Sequence, residues 1–475
     1  MKNFLIKRAF WVSLVFVFAF GLLPFEAAAQ SSPKPLFQTI TVQAGKKRPR
    51  TTPTPLVTRT SSTKPIVSSR PVKPTSSLRK TSFPALAAVQ IPGYSGVLVE
   101  HESGRVVIDS YSRHTFNPAS NVKVATAYAV LKTFGVNYRF KTGIWTDGTI
   151  NRSTRTLVGN LYISGRDPMF NYEHAVSLAN ELNRLGINKI EGDLITTDNF
   201  AMNFSNSASR SANLLLKTLS AAKRSRAASK AWSSYLSNSG KYNATNNLPS
   251  VFINGDSYVE GLPSNVKMLF THESAPLREI VKATMSFSNN FLSERLGGML
   301  GGAYAVARIV QRDTRSAPFE FQLQTCSGLG INRVSPKAQM RLLRTFKSFL
   351  NRNRMKFSDV MPVAGLDNGT LKRRFNEGLE RGSVVGKTGT LGRTDRGVST
   401  LSGEITTRQG KFLFVIFNQR GSVRRFRSFQ NYFVPLVQNQ LGGALPMRYI
   451  YVPMERRLAK SRISYPRGNR FRGEE

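Results

Sequence analysis

Three short motifs occur in order along the 475-residue chain. Ser120-Asn121-Val122-Lys123 follows the turn-forming pair Asn117-Pro118. Ser288-Asn289-Asn290 lies where one helical pattern meets the next, and Lys387-Thr388-Gly389-Thr390 continues the strand-like run Val384-Val385-Gly386. A serine hydroxyl is a poor nucleophile until a neighbouring base takes its proton. Lys123 stands one helical turn beyond Ser120, so its amine can face that hydroxyl if a helix starts there. A helix start also aims unpaired N–H groups and a positive dipole end at its first residues. Lysine acts as a base only when burial or a nearby like charge lowers its pKa, and Lys387 supplies such a charge if the fold brings it close. Ser288 is suited to relay a proton to a leaving group, and the Asn290 amide to hold substrate or Lys123. The Lys387 ammonium and the Thr388 hydroxyl suit a free carboxylate. An edge strand carrying them could pair with an extended peptide, and the N–H groups of Ser120 and Thr390 suit an oxyanion.

Singly these motifs are weak, since Ser-x-x-Lys also begins at Ser31, Ser61, Ser77, Ser220 and Ser264. Ser120 differs in its turn-to-helix setting and its two downstream partners. Val122, Ala125, Ala129, Val130 and Phe134 recur at helical spacing after it. Gly96–Val99 and Val106–Ile108 flank Glu102-Ser103-Gly104 as a hairpin would. Short strand-like runs (Leu157–Ile163, Ile187–Ile195, Val251–Ile253) occupy the region from about Asn137 to Glu273, whose Ser/Ala/Lys-rich middle, Ser205 to Asn247, reads as partly loose. Helical patterns follow from Leu277 through Leu300 and over Ser335–Leu350. Strands follow around Val384–Thr390, Val398–Ile405 and Lys411–Asn418. The order of strands, helices and strands implies an α+β fold with an insertion after the first helix.

The chain carries 68 Lys+Arg against 27 Asp+Glu, a formal charge of +41, which implies a polyanionic neighbour. One Cys excludes an intramolecular disulfide and a Cys-based zinc site. Lys2, Lys7 and Arg8 precede an apolar run from Ala9 to Phe25 and the small residues Ala27-Ala28-Ala29, the pattern of a signal peptide over residues 1–29. The alternative is an uncleaved anchor, for which the run sits at the short limit of a span. Residues 30–88 hold nine Pro, eleven Lys/Arg and no acid, a composition that reads as a disordered basic tether. Arg456, Arg457, Lys460, Arg462, Arg467, Arg470 and Arg472 mark a basic tail over residues 446–475. In an exported protein such ends suit anionic envelope polymers, with a solvated, solubilising end as the alternative, and make nucleic acid a poor partner.

Longer stretches around the motifs resemble the class C low-molecular-mass penicillin-binding proteins, serine D-alanyl-D-alanine carboxypeptidases and endopeptidases of the bacterial envelope. They are Phe116–Lys123, Ser164–Pro168, Ile190–Leu194, Ser274–Leu277, Asn332–Pro336 and Pro362–Asp367, within a resemblance spanning about Gly93 to Gly443. The resemblance implies a penicillin-binding transpeptidase-like core, an antiparallel sheet flanked by helices, with an inserted mainly-β accessory region. The core would comprise residues 89–139 and 274–445 and the insertion residues 140–273. It implies Ser120, Lys123, Ser288 and Asn290 as catalytic residues, and Lys387, Thr388, Gly389 and Thr390 as the substrate-binding strand. Ser120 would be acylated by the penultimate D-Ala of a peptidoglycan stem peptide, and β-lactams would acylate it as inhibitors. No metal or diffusible cofactor is implied, and the location would be periplasmic or cell-wall associated. The insertion is short for this class, favouring carboxypeptidase over endopeptidase action. Asn289 stands where the family usually has Asp, Thr325-Cys326 where it reads Asp-Gly, and Arg166 where Gly is common.

Two competing functions remain distinguishable: a non-catalytic peptidoglycan-binding or regulatory relative, and a serine β-lactamase. His101, His114, His174 and His272 have no ligand spacing, and Cys326 reads as a small buried residue near a family landmark, open to oxidation. Asp167 reads as a turn residue, with contact to a stem-peptide amine as the alternative. The sequence leaves the oligomeric state open.

Overall fold

A computed structural model describes residues 80–240 and 248–466. The signal peptide expected over residues 1–29 and the tether as far as residue 79 lie outside the described residues. The described chain opens with Lys80–Thr81 (β1), a short helix Pro84–Ala87 (α1), Tyr94–His101 (β2) and Val106–Ser110 (β3), then Val122–Phe134 (α2). The insertion contributes Lys141–Thr146 (β4), Thr149–Asn151 (β5), Thr156–Val158 (β6), Leu161–Gly165 (β7), Tyr172–Arg184 (α3), Lys189–Glu191 (β8) and Leu194–Thr196 (β9). It continues through Ala208–Leu219 (α4), Arg226–Ser239 (α5), Phe252–Ile253 (β10), Ser257–Val259 (β11) and Lys267–Glu273 (β12). Leu277–Phe287 (α6), Asn290–Gly298 (α7) and Gly302–Thr314 (α8) follow, then Phe321–Gln322 (β13), Arg333–Val334 (β14), Pro336–Arg352 (α9) and Phe357–Val360 (α10). The chain closes with Val384–Leu391 (β15), Val398–Thr407 (β16), Gly410–Gln419 (β17), Val423–Gln440 (α11), Met454–Leu458 (α12) and Arg462–Ser464 (β18).

The sheet that carries the Lys387 motif runs β1-β3-β2-β17-β16-β15 with every pair antiparallel. Residues alternate between its faces. Val97, Val99, Leu401, Phe412, Phe414 and Ile416 pack with Phe429, Phe433 and Val437 of α11 in one buried cluster. Each such side chain contributes about 1.5–3 kcal/mol on burial. The expected hairpin is the β2–β3 pair, with a bulge between Val99 and Glu100. Strands β11-β9-β7-β4-β12 of the insertion form one sheet, with β18 from the C-terminal end of the chain at its edge, and β10-β8-β6-β5 form a smaller one. Ile144, Leu161, Ile163, Phe170, Leu178, Leu182, Leu215 and Phe270 form the insertion's own core.

Three expectations from composition change. Ser205 to Asn247 is not loose where described: α4 and α5 pack on α3, burying Leu215 and Leu219, and Trp232, Tyr235 and Leu236. The tether does not extend to Ala88, because β1 pairs with Asp109 and Ile108, and Leu86 is fully buried in the core that α11 covers. Residues 446–466 are a folded strap rather than a tail. Burial of Met454, Leu458 and Ala459 anchors it, and β18 adds an antiparallel edge to β12. Its basic side chains find acids far away in sequence: Arg457 and Lys460 bind Glu279 at 2.9 and 2.6 Å, and Arg462 binds Glu273 at 2.6 Å. Arg467, Arg470 and Arg472 lie outside the described residues.

Candidate active site

Ser120 sits in a single 3-10 turn, Ala119–Asn121, that leads into α2. Ala119 is held at φ 46°, a conformation unfavourable for a residue with a β-carbon, and such strain concentrates at functional sites. Two contacts fix the turn. Asn121 donates to Thr400 Oγ1 at 2.7 Å and accepts from Ser402 Oγ at 2.6 Å, pinning it to β16. Gly328, at φ +89°, runs against the Ala119 carbonyl where a β-carbon would collide.

Lys123 is 1 % exposed. Its Nζ lies 3.1 Å from Ser120 Oγ, 2.7 Å from Asn290 Oδ1 and 2.6 Å from the Ser327 carbonyl oxygen. Burial pulls its pKa down to about 7, against the opposing charge of Glu294. The amide and carbonyl oxygens can only accept. A neutral amine therefore directs its two N–H bonds at Asn290 and Ser327 and leaves its lone pair facing Ser120.

Ser288 ends α6 in a left-handed conformation, φ 54°, which turns its hydroxyl out of the helix line. Asn289 accepts from Leu292 N–H at 3.0 Å and is the N-cap of α7; Asn serves there as well as Asp. Its departure from the family pattern therefore falls on a capping position. Asn290, the first residue of α7, meets Lys123. Behind the site, buried Lys282 of α6 donates to Asp367 Oδ2 at 2.6 Å and to the carbonyls of Ser358 and Met361. Asp367 accepts from Tyr449 of the strap at 2.7 Å. Gly386 N–H of β15 bonds the Pro362 carbonyl in the same loop. This network holds the helix of Ser288 against the strand of Lys387.

Lys387 is fully buried, with Nζ 2.8 Å from Ser288 Oγ and 2.6 Å from the Thr388 carbonyl. Burial, then the charge of Lys123, holds its pKa well below the usual lysine range. A β-carbon on Gly389 would lie 2.9 Å from the Ser120 nitrogen, so the strand passes Ser120 at backbone contact. β15 is the last strand of its sheet; bonds to residues 362–364 cover its first half. The structure thus brings Ser120, Lys123, Ser288, Asn290 and Lys387–Thr390 into one site.

Two neighbours escape a reading of side-chain types. The Ser327 carbonyl orients Lys123 through backbone, which no residue type announces. Glu294, one turn after Asn290 on α7, accepts the N–H groups of Cys326 and Ser327 and so holds that carbonyl in place. Cys326 is buried, and burial followed by the Glu294 charge pushes its thiol up to about 12. Asp167 accepts the Met169 N–H at 2.9 Å, a turn contact, and burial raises its carboxyl to about 6.

Comparison with known proteins bears on the lineage and the fold. The sequence matches the D-Ala-D-Ala carboxypeptidase 3 (S13) family over residues 86–213 and 250–431. A D-alanyl-D-alanine carboxypeptidase of Actinomadura sp. (strain R39) is 33 % identical over 122 residues, which span 24 % of this chain and 22 % of that relative. The penicillin G-acylated Bd3459 predatory endopeptidase of Bdellovibrio bacteriovorus superposes with TM-score 0.65 at 23 % identity, covering 76 % of this chain and 96 % of that one. Penicillin binding protein 4 of Haemophilus influenzae gives TM-score 0.53 at 21 % identity, covering 74 % of this chain and 96 % of that one. At these identities the two structures speak for the fold, and the match over most of the chain settles the lineage: the protein belongs to the D-Ala-D-Ala carboxypeptidase 3 (S13) family.

Proposed function

We propose that the protein is an exported serine D-alanyl-D-alanine carboxypeptidase that removes the terminal D-Ala from peptidoglycan stem peptides through an acyl-enzyme on Ser120. The observation that carries this reading is the buried Lys123 amine, brought to about 7 and set 3.1 Å from Ser120 Oγ between two obligate acceptors. Lys123 takes the hydroxyl proton as Oγ attacks the penultimate D-Ala carbonyl. The oxyanion is received by the N–H groups of Ser120 and Thr390. Ser288, bonded to Lys387, passes a proton to the leaving D-Ala nitrogen, and the C–N bond breaks. Lys123 returns the proton it took to Ser288; water then attacks the ester and gives a proton to Lys123, which hands it to Oγ as the bond to the acyl carbon breaks, and Ser120 is freed. Lys387, Thr388, Gly389 and Thr390 form the strand that receives the substrate backbone and its carboxylate. On a crosslink the leaving amine belongs to a second stem peptide, which makes the same steps a D,D-endopeptidase reaction.

Export rests on the leader pattern of residues 1–29. Among the described residues no helix is long and apolar enough to cross a membrane. Attraction of the basic tether to anionic envelope polymers belongs to the same reading, and retention unaffected by salt counts against it.

The test is intact mass of the protein with and without benzylpenicillin, beside Ser120→Ala, with D-Ala release from a stem pentapeptide followed in parallel. A long-lived adduct absent from the variant, together with D-Ala release, supports the reading. Rapid penicillin turnover points to a β-lactamase. A folded protein with neither adduct nor D-Ala release points to a non-catalytic peptidoglycan-binding relative.

A further inference from the structure

A terminal carboxylate needs a cation, and Lys387 is poorly placed to be that cation. Its ammonium is enclosed between Ser288 Oγ and the Thr388 carbonyl, with no exposed surface. Side chains alternate along a strand. Lys387 and Gly389 face the serines, while Thr388 and Thr390 share the other side. On that side Arg427 of α11, exposed to solvent, donates to Thr390 Oγ1 at 2.9 Å. One turn further along α11, Gln430 and Asn431 hold the guanidinium of Arg374 at 3.1 and 2.7 Å. Burial, then the charge of Arg427, lowers Arg374 to about 10. Two guanidinium groups thus lie close enough to repel at the rim of the substrate strand. Among the described residues no ion pair involves either of them. Uncompensated like charges beside hydroxyl donors form a receptor for a carboxylate, which Arg binds with two parallel hydrogen bonds.

We propose that Arg427, supported by Arg374, receives the free carboxylate on the leaving-group side of the scissile bond, together with the hydroxyls of Thr388 and Thr390, and so selects substrates that end in an acid. This rests on the acyl-enzyme reading for its catalytic consequence, while the binding site itself can be tested without catalysis.

Two matched peptides serve as probes, one ending in D-Ala-D-Ala and the other in D-Ala-D-alaninamide. The wild type favours the acid. Arg427→Gln lowers kcat/KM for the acid by about 10- to 100-fold, the range expected for one charge-assisted contact, with less than about twofold change for the amide. Arg427→Lys restores part of the preference. Equal losses on both peptides, or no loss on either, overturn the proposal. Calorimetric binding of the same peptides in a Ser120→Ala background separates this outcome from failure of the acyl-enzyme reading. If the wild type turns over neither peptide, that reading falls. Arg427 is then judged on affinity: acid-selective loss in Arg427→Gln supports the receptor, and unchanged affinity refutes it.

Discussion

Lys123 as a general base makes a quantitative demand on the pH profile of acylation. With a pKa of about 7, half of the amine is neutral at pH 7 and about one-tenth at pH 6. An ordinary lysine would be neutral in only about 0.04 % of molecules at pH 7, so burial raises the supply of base by about a thousandfold. The second-order rate of benzylpenicillin acylation, read by intact mass after rapid quenching, should therefore level off above pH 8 and fall about tenfold per unit below pH 6. Asn290→Asp tests the cause. It puts a carboxylate where Oδ1 now lies 2.7 Å from Nζ, and an opposite charge at that distance raises an amine by roughly 1–3 units. The midpoint should move to between about 8 and 10, with acylation at pH 7 falling by about five- to five-hundredfold and recovering at alkaline pH. A wild-type profile that is flat from pH 5 to 8, or an unmoved midpoint in the variant, would refute Lys123 as the base.

Gly328→Ala should slow acylation by about a hundredfold, the size of effect that a shift of about 1 Å in a catalytic group produces, because the new β-carbon drives into the Ala119 carbonyl beside Ser120. Acylation at the wild-type rate would show that the turn tolerates displacement. With its thiol at about 12, Cys326 should be inert to Ellman's reagent at pH 8 in the native protein, at least about a thousandfold slower than an ordinary thiol. It should react fully in urea, and fast labelling of the native state would contradict its enclosure.

That Ser120, Lys123, Ser288, Asn290 and Lys387 come together was legible because the chemistry proposed for them demands particular side chains at particular intervals. The β15–β17 strands were legible because β-branched and aromatic residues cluster there. The helices α4 and α5 were not, since Ser, Ala and Lys dominate their composition. The signal lay in the spacing of Trp232, Tyr235 and Leu236, which form one apolar stripe. The strap was hidden for another reason. A run of arginines looks solvated until its acids are known, and Glu273 and Glu279 lie almost two hundred residues earlier in the chain. Arg427 was similarly invisible, because its partner Thr390 is reached only when α11 folds across the sheet.

The strap also bears on the order in which the protein can be made. Thr271 of β12 pairs with Ser464 of β18, so the outer edge of that sheet stays bare until Arg462–Ser464 have been synthesised. Bare strand edges invite pairing with other chains, and contacts so distant in sequence form late. Any product ending between Glu279 and Ala459 would expose the outer edge of β12 and leave the buried Glu279 without Lys460, and without Arg457 as well if it ended before that residue. Synthesis past Ser464 is thereby tied to solubility: Arg462–Ser464 close the sheet, and a copy without them offers that edge to aggregation or proteolysis before it can act on a substrate.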